Sequence, residues 1–416
     1  MIAKRPRRAI AVLLVAGTVA CTAAVPAPSP RSDPRTPAST NDSLAESSVA
    51  SPSPSPSPSE PEERAGPLGQ EIEIGTIDPD QTPFMSAFAS DGDSIYFGSG
   101  AADGVPEGYA PDLWRYAPGA DAPELVWSNP ARNRTIAVIA GDLGTVAFAE
   151  MDGDGERDWN LWLAPDPGAE PILLDSHPGD ENVSGLLPSM SVYEDRVAWT
   201  AFDGGPEGSV SQMLVAAAPD WTPVVLQERD AQIGELWLPS LRGTSLAYCE
   251  VTYNADRTHD QRHVYLTDVL QAEPPRQLDS SGRATMPQLV NDGVIWKETD
   301  PGFNMFNWGH LVYWNRLTEE TRPIASRLQP DVNNPSAGER FIAVFGYDSA
   351  VFEVYDVDRM RWRLIDRYDV RAGEAVYRAH LGGQLLAWLE SKPDVASGAL
   401  RWAFLPVAGG DKLLDP

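Results

Sequence analysis

Carboxylates fall at 150, 152, 154 and 158 in the stretch Glu150-Met-Asp152-Gly-Asp154-Gly155-Glu-Arg-Asp158. Alternate acids in a tight loop present hard oxygens to one point, and a glycine permits the turn. That chemistry suits calcium, which takes about six to eight oxygens. The competing reading leaves Gly153 and Asp154 to serve the turn alone. A second set is spread along the chain. Glu150, Glu250, Glu298 and Glu390 each end an apolar segment, three residues past the centre of a recurring pattern. Acids in register around one axis would draw a cation or a basic ligand; otherwise each accepts hydrogen bonds from its own loop. Phe303, Phe306 and Trp308 crowd one short stretch. Exposed aromatics of this kind anchor a sugar or a protein partner, unless they pack on a neighbouring element.

Other chemistry is poorly represented. The sequence holds no Gly-x-Ser-x-Gly elbow, His-Glu-x-x-His pair, phosphate loop or dinucleotide fingerprint. His259 and His263 are close in sequence but have no evident third partner, and read as surface histidines. The two cysteines, Cys21 and Cys249, allow one bridge at most, so no disulfide framework holds the fold. Cys249 lies on an apolar strand and reads as a buried thiol. Acids outnumber bases 60 to 32, for a formal charge of −28. So acidic a surface repels phosphate backbones and argues against a nucleic-acid partner.

The elements that must position these residues repeat. Ile95-Tyr96-Phe97, Val146-Ala147-Phe148, Val197-Ala198-Trp199, Leu246-Ala247-Tyr248, Val294-Ile295-Trp296, Ile342-Ala343-Val344 and Leu386-Ala387-Trp388 share one form, a central residue between an aliphatic and an aromatic. Only Val344 breaks the aromatic rule. The centres are spaced 51, 51, 49, 48, 48 and 44 residues apart. A turn such as Ser90-Asp91-Gly92-Asp93 or Asn291-Asp292-Gly293 precedes each copy, and third and fourth strand-like segments follow, as in Leu161–Leu163 and Ile172–Leu174. Four short strands per unit at this period predict an all-β chain of propeller blades. The count is seven, with six or eight left open by the unresolved ring closure, for which Glu71–Ile77 is the candidate strand.

The Asp-Gly turn, the apolar-Ala-aromatic strand and the later Asp112-Leu113-Trp114 or His263-Val264-Tyr265 strand resemble those of TolB-like and WD40-like β-propellers, over roughly residues 80–416. In such propellers the hairpins between second and third strands open on the face that carries the blade connections. Here those hairpins are long: Ser99–Pro111, Met151–Asp158, Phe202–Ser211, Val251–Arg262, Thr299–Gly309 and Ser391–Ser397. That face is the expected binding face. The acidic stretch resembles the calcium loop of integrin-type propellers, with Glu in place of the first Asp. The resemblance implies Glu150, Asp152, Asp154 and Asp158 as ligands of a structural Ca2+.

The N-terminus reads as an address. Residues 1–20 form a signal peptide, with basic Lys4–Arg8 before the apolar run Ala9–Ala20. The ending Gly17-Thr18-Val19-Ala20-Cys21 resembles the bacterial lipobox, which implies acylation of Cys21 and a lipid anchor on the extracytoplasmic side of a membrane. An ordinary secretory cleavage near Ala20 or Ala24 is the alternative. Cleavage would remove four basic side chains and leave a charge of −32. Residues 21–70 are rich in Pro and Ser and hold few large apolar side chains, which predicts a disordered linker. In polyproline form it would reach about 100 Å. The whole reads as residues 1–20 signal, 21–70 tether and 71–416 propeller. The expected product is a monomeric, membrane-tethered module for an extracytoplasmic protein, peptide or cell-envelope glycan. A propeller enzyme using acids at the channel mouth is the alternative.

Overall fold

The computed structural model describes residues 72–77, 85–100, 105, 108–152, 158–177, 187–205, 208–254, 260–270, 274–299, 309–324, 333–345, 351–368, 374–391 and 399–405. The expected signal peptide, Cys21, the linker, Asp154, His259 and the Phe303, Phe306 and Trp308 cluster lie outside the described residues.

Seven antiparallel sheets of four strands form the blades. The first strand, β1 (Ile74–Ile77), is held by the last blade. Blade one is β2–β5 (Ala87–Ser90, Ile95–Ser99, Asp112–Tyr116, Glu124–Ser128), and blade two is β6–β9 (Arg134–Asp142, Thr145–Asp152, Trp159–Ala164, Ile172–His177). Blade three is β10–β13 (Met190–Tyr193, Arg196–Gly205, Gly208–Ala217, Val224–Asp230). Blade four is β14–β17 (Gly234–Arg242, Ser245–Tyr253, Asp260–Asp268, Arg276–Gln277). Blade five is β18–β21 (Ala284–Val290, Gly293–Thr299, Gly309–Asn315, Thr321–Ile324). Blade six is β22–β25 (Asn333–Ala337, Phe341–Phe345, Val351–Asp356, Arg361–Arg367). Blade seven is β26–β28 (Ala375–Gly382, Leu385–Ser391, Ala399–Phe404), completed by β1. The first strand of each blade touches that of the next, and β26 returns to β2, so the sheets form a closed ring.

The recurring three-residue pattern is the second strand of every blade. It is buried on both faces, which is why it reads as a continuous apolar run rather than an alternation. Its outer pair faces the preceding blade and its central residue the following one. Ala147 shares a cluster with Val197 and Trp199, Ala198 with Leu246 and Tyr248, and Ala247 with Val294 and Trp296. Ala343 sits with Leu386 and Trp388, and Ala387 with Ile95 and Phe97 across the closure. A small central side chain thus leaves room for its neighbour's aromatic ring. In blade six Val344 stands where the other blades have an aromatic, and it lies in one cluster with Ile295, the central residue of blade five.

Ring closure follows the sequence expectation. β1 pairs antiparallel with β28, Gly75 opposite Trp402. A side chain at Gly75 would fall inside the Trp402 ring, so glycine is required there. Two expected loops are corrected. Phe202 pairs with Ser211, and the ladder continues to Gly205 and Gly208; Val251 pairs with Arg262, and that ladder runs on to Tyr253 and Asp260. These stretches are strand extensions because Phe202 and Val251 are buried and keep the ladder in register.

Candidate functional site

Glu150, Glu250, Glu298 and Glu390 stand at matching ends of their second strands, as their spacing predicts, but each is met by an arginine. Arg134 Nε lies 3.3 Å from Glu150 Oε1, and the same guanidinium reaches Asp158 Oδ1 at 3.1 Å. Asn160 donates to Glu150 Oε1 at 3.0 Å, and Asn129 donates to Oε2. Arg229 holds Glu250 through two bonds, 2.9 Å from Nε and 3.1 Å from a terminal nitrogen. Arg283 lies 3.3 Å from Glu298, and Arg401 lies 3.3 Å from Glu390. The acids are therefore braces: each pairs its charge with an arginine on a neighbouring strand or, for Arg283, just before one.

This bears on the calcium expectation. Both oxygens of Glu150 already receive protein donors, and Arg134 lies between it and Asp158. A cation bound by these two carboxylates would have to displace that guanidinium. Asp152 is exposed, and its N–H donates to the Asp158 carbonyl at 3.1 Å. No group of three or more metal-ligating side chains occurs among the described residues. Elsewhere, Cys249 is a buried thiol pushed up to about 12 by burial, and His263 Nδ1 lies 3.2 Å from Asp279 and 2.9 Å from Gln277.

The first strands build something the sequence reading missed. They line a central lumen of about 270 Å³, toward the end opposite the long hairpins. Seven residues before each repeat centre stands a side chain facing the next blade. Ser191 Oγ accepts from Leu241 N–H at 2.9 Å, Ser240 Oγ from Leu289 at 2.8 Å, and Gln288 Oε1 from Ala337 at 3.2 Å. Ser336 Oγ accepts from Leu381 at 2.9 Å, and His380 Nδ1 from Ser90 at 3.0 Å. Ala89 and Ala140 occupy this position in blades one and two. A fixed offset of polar residues from the repeat centre was the signal available.

Charge in the lumen is uneven. Arg378 and His380 are half-buried and line the open space. Burial drives the His380 imidazole down to about 4, with a smaller push from Arg378, so it is neutral with its proton on Nε2. Burial also lowers Arg378. At the turn end Asp142 accepts from Glu194 N–H at 2.9 Å, and burial raises it to about 6. Arg242 bonds Glu339 at 3.0 Å and Asn291 at 2.7 Å, tying blades four, five and six together.

These features define a seven-bladed β-propeller closed by its N-terminal strand. No protein-family model and no curated protein matches the chain. Solved structures do. The β-propeller domain of the Trilobed protease from Pyrococcus furiosus, described as having an open Velcro topology, aligns at a TM-score of 0.56 and 9% identity, covering 77% of this chain and 93% of that one. An oligogalacturonate lyase in complex with manganese aligns at 0.53 and 12% identity, covering 80% and 96%. Puromycin hydrolase aligns at 0.52 and 15%, covering 76% of this chain but 51% of that one. At such identities the likeness is one of fold alone.

Proposed function

We propose that this chain is a lipid-anchored, extracytoplasmic propeller that binds or scaffolds a protein, a peptide or a cell-envelope glycan. The observation that carries the binding reading is the set of arginine–carboxylate braces at Glu150, Glu250, Glu298 and Glu390. Glycosidic chemistry needs two opposed carboxyl groups about 5–10 Å apart, one of them able to give up a proton. Each of these acids faces an arginine at 2.9–3.3 Å rather than a second carboxyl group, so the four serve as struts. They hold the strand ends from which the long hairpins project, which favours a recognition surface. The anchor reading rests on the residues around Cys21 and on the proline-rich stretch that follows.

Two measurements test this. A photoreactive side chain at exposed Asp203, on the β11–β12 hairpin, should crosslink a partner in intact cells, whereas one at exposed Leu317, on a turn at the other end, should not. Equal labelling, or none at Asp203, removes the reading. Cys21→Ser should shift the chain from membrane to soluble fractions; retention on membranes removes the anchor.

A further inference from the structure

We propose that the central lumen is a binding site for a small oxyanion, a carboxylate or phosphate group gripped by Arg378 and a surrounding belt of hydrogen-bond donors. The site lies away from the hairpin face and stands independently of the partner proposed there.

Arg378 is the first reason. Its guanidinium lies over the Phe88 ring, 5.6 Å from guanidinium carbon to centroid, and makes no ion pair with a carboxylate among the described residues. A half-buried cation without a counter-charge carries a desolvation cost, and an anion entering the lumen relieves it. A guanidinium takes carboxylate and phosphate side-on through two parallel bonds.

The belt is the second. Ser191, Ser240 and Ser336 each use their oxygen to accept a main-chain N–H from the next blade, so each hydroxyl hydrogen remains to be donated. His380 accepts at Nδ1 and therefore presents Nε2–H. Gln288 accepts through Oε1 and donates one amide hydrogen to the Pro287 carbonyl, leaving the other. Inter-blade bonding thus occupies one acceptor on each of these side chains and leaves its donor. The acids of the lumen are engaged at the turn end, Asp142 with Glu194 N–H and Glu339 with Arg242. A space of about 270 Å³ admits a small organic acid or inorganic phosphate and excludes a folded partner.

The test is calorimetric titration of the purified full-length chain with succinate and, separately, with inorganic phosphate, at constant ionic strength set by chloride; succinamide serves as the neutral control. We expect one saturable site for at least one anion, none for succinamide, and at least tenfold weaker binding in Arg378→Met. The arm that binds names the group. Binding by neither anion, or unchanged affinity in Arg378→Met, overturns the proposal. Should that variant fail to fold, the His380 titration in the intact chain decides, read by NMR. A saturating anion should raise its midpoint above about 4, and an unmoved midpoint overturns the proposal.

Discussion

His380 Nδ1 accepts the main-chain N–H of Ser90 at 3.0 Å, joining residues 290 positions apart across the seam between the last blade and the first. The bond requires an unprotonated Nδ1, and burial supplies it by holding the imidazole near 4. The unfolded chain binds a proton at about 6.5, the folded one only near 4. Stability from this group is therefore present above the unfolded value and declines as pH falls from there toward 4. The loss is roughly 2–3 kcal/mol, at about 1.4 kcal/mol per pH unit. Thermal unfolding between pH 8 and pH 4 should show it, and His380→Gln, which keeps an acceptor, should flatten the profile. An equally steep profile in that variant refutes the assignment.

Asp142 acts with the opposite sign. Its folded value is raised to about 6 from 3.8, so the folded state holds the proton more tightly. Its contribution is greatest below 3.8 and is lost as pH rises through 6. Asp142→Asn keeps an acceptor for Glu194 N–H and should raise the melting temperature at pH 8 while changing little at pH 4. A uniform shift at both pH values would contradict this.

The packing of Ile295 and Val344 in one cluster predicts a non-additive pair. Ile295→Ala should cost about 2–5 kcal/mol by opening a cavity in the blade five to blade six interface. Adding Val344→Phe, which restores the aromatic of the other blades, should recover a measurable part of it, whereas Val344→Phe alone should overpack and destabilise. Denaturant unfolding of the three variants reads the coupling, and strict additivity would remove the volume argument.

Gly75 predicts a local lesion. Gly75→Val places a side chain where the Trp402 ring lies, so β1 should detach while the remaining blades persist. Hydrogen exchange should quicken in 399–404 and 74–77 before other strands. Uniform exchange, or none beyond the intact chain, would show that β1 is not held as described.

Arg134 predicts a latent ion site. With its guanidinium between Glu150 and Asp158, calcium should bind weakly to the intact chain, and Arg134→Gln should strengthen binding at least tenfold. Asp154→Ala in that background should abolish the gain. Equal calcium titrations of intact chain and Arg134→Gln would rule out competition.

The second strands were legible because both faces are buried, so their apolar character survives as a run that marks every blade at one period. Glu71–Ile77 stood out as a candidate closing strand, but nothing in its residues named β28 as its partner. The braces were half legible. The glutamates share a register, but their arginines come from different places: β6 of the same blade for Arg134, the preceding blade's β13 for Arg229, the lead-in to β18 for Arg283, and β28 for Arg401. No single spacing marks them, so the acids looked unaccompanied. The lumen was hidden for another reason. Serine, glutamine and histidine on a short strand look like solvent-facing positions, and only the ring geometry turns them inward.

One strand closes the ring and also receives the chain from its N-terminal side. Any pull transmitted along the segment before Ile74 arrives first at β1, whose four residues pair, among the described residues, with β28 and with no other strand. Load on a tether would thus be borne by the clasp itself. The propeller would yield at blade seven before any other, and the work needed to open it would be set by one short ladder and the Trp402 ring lying against Gly75.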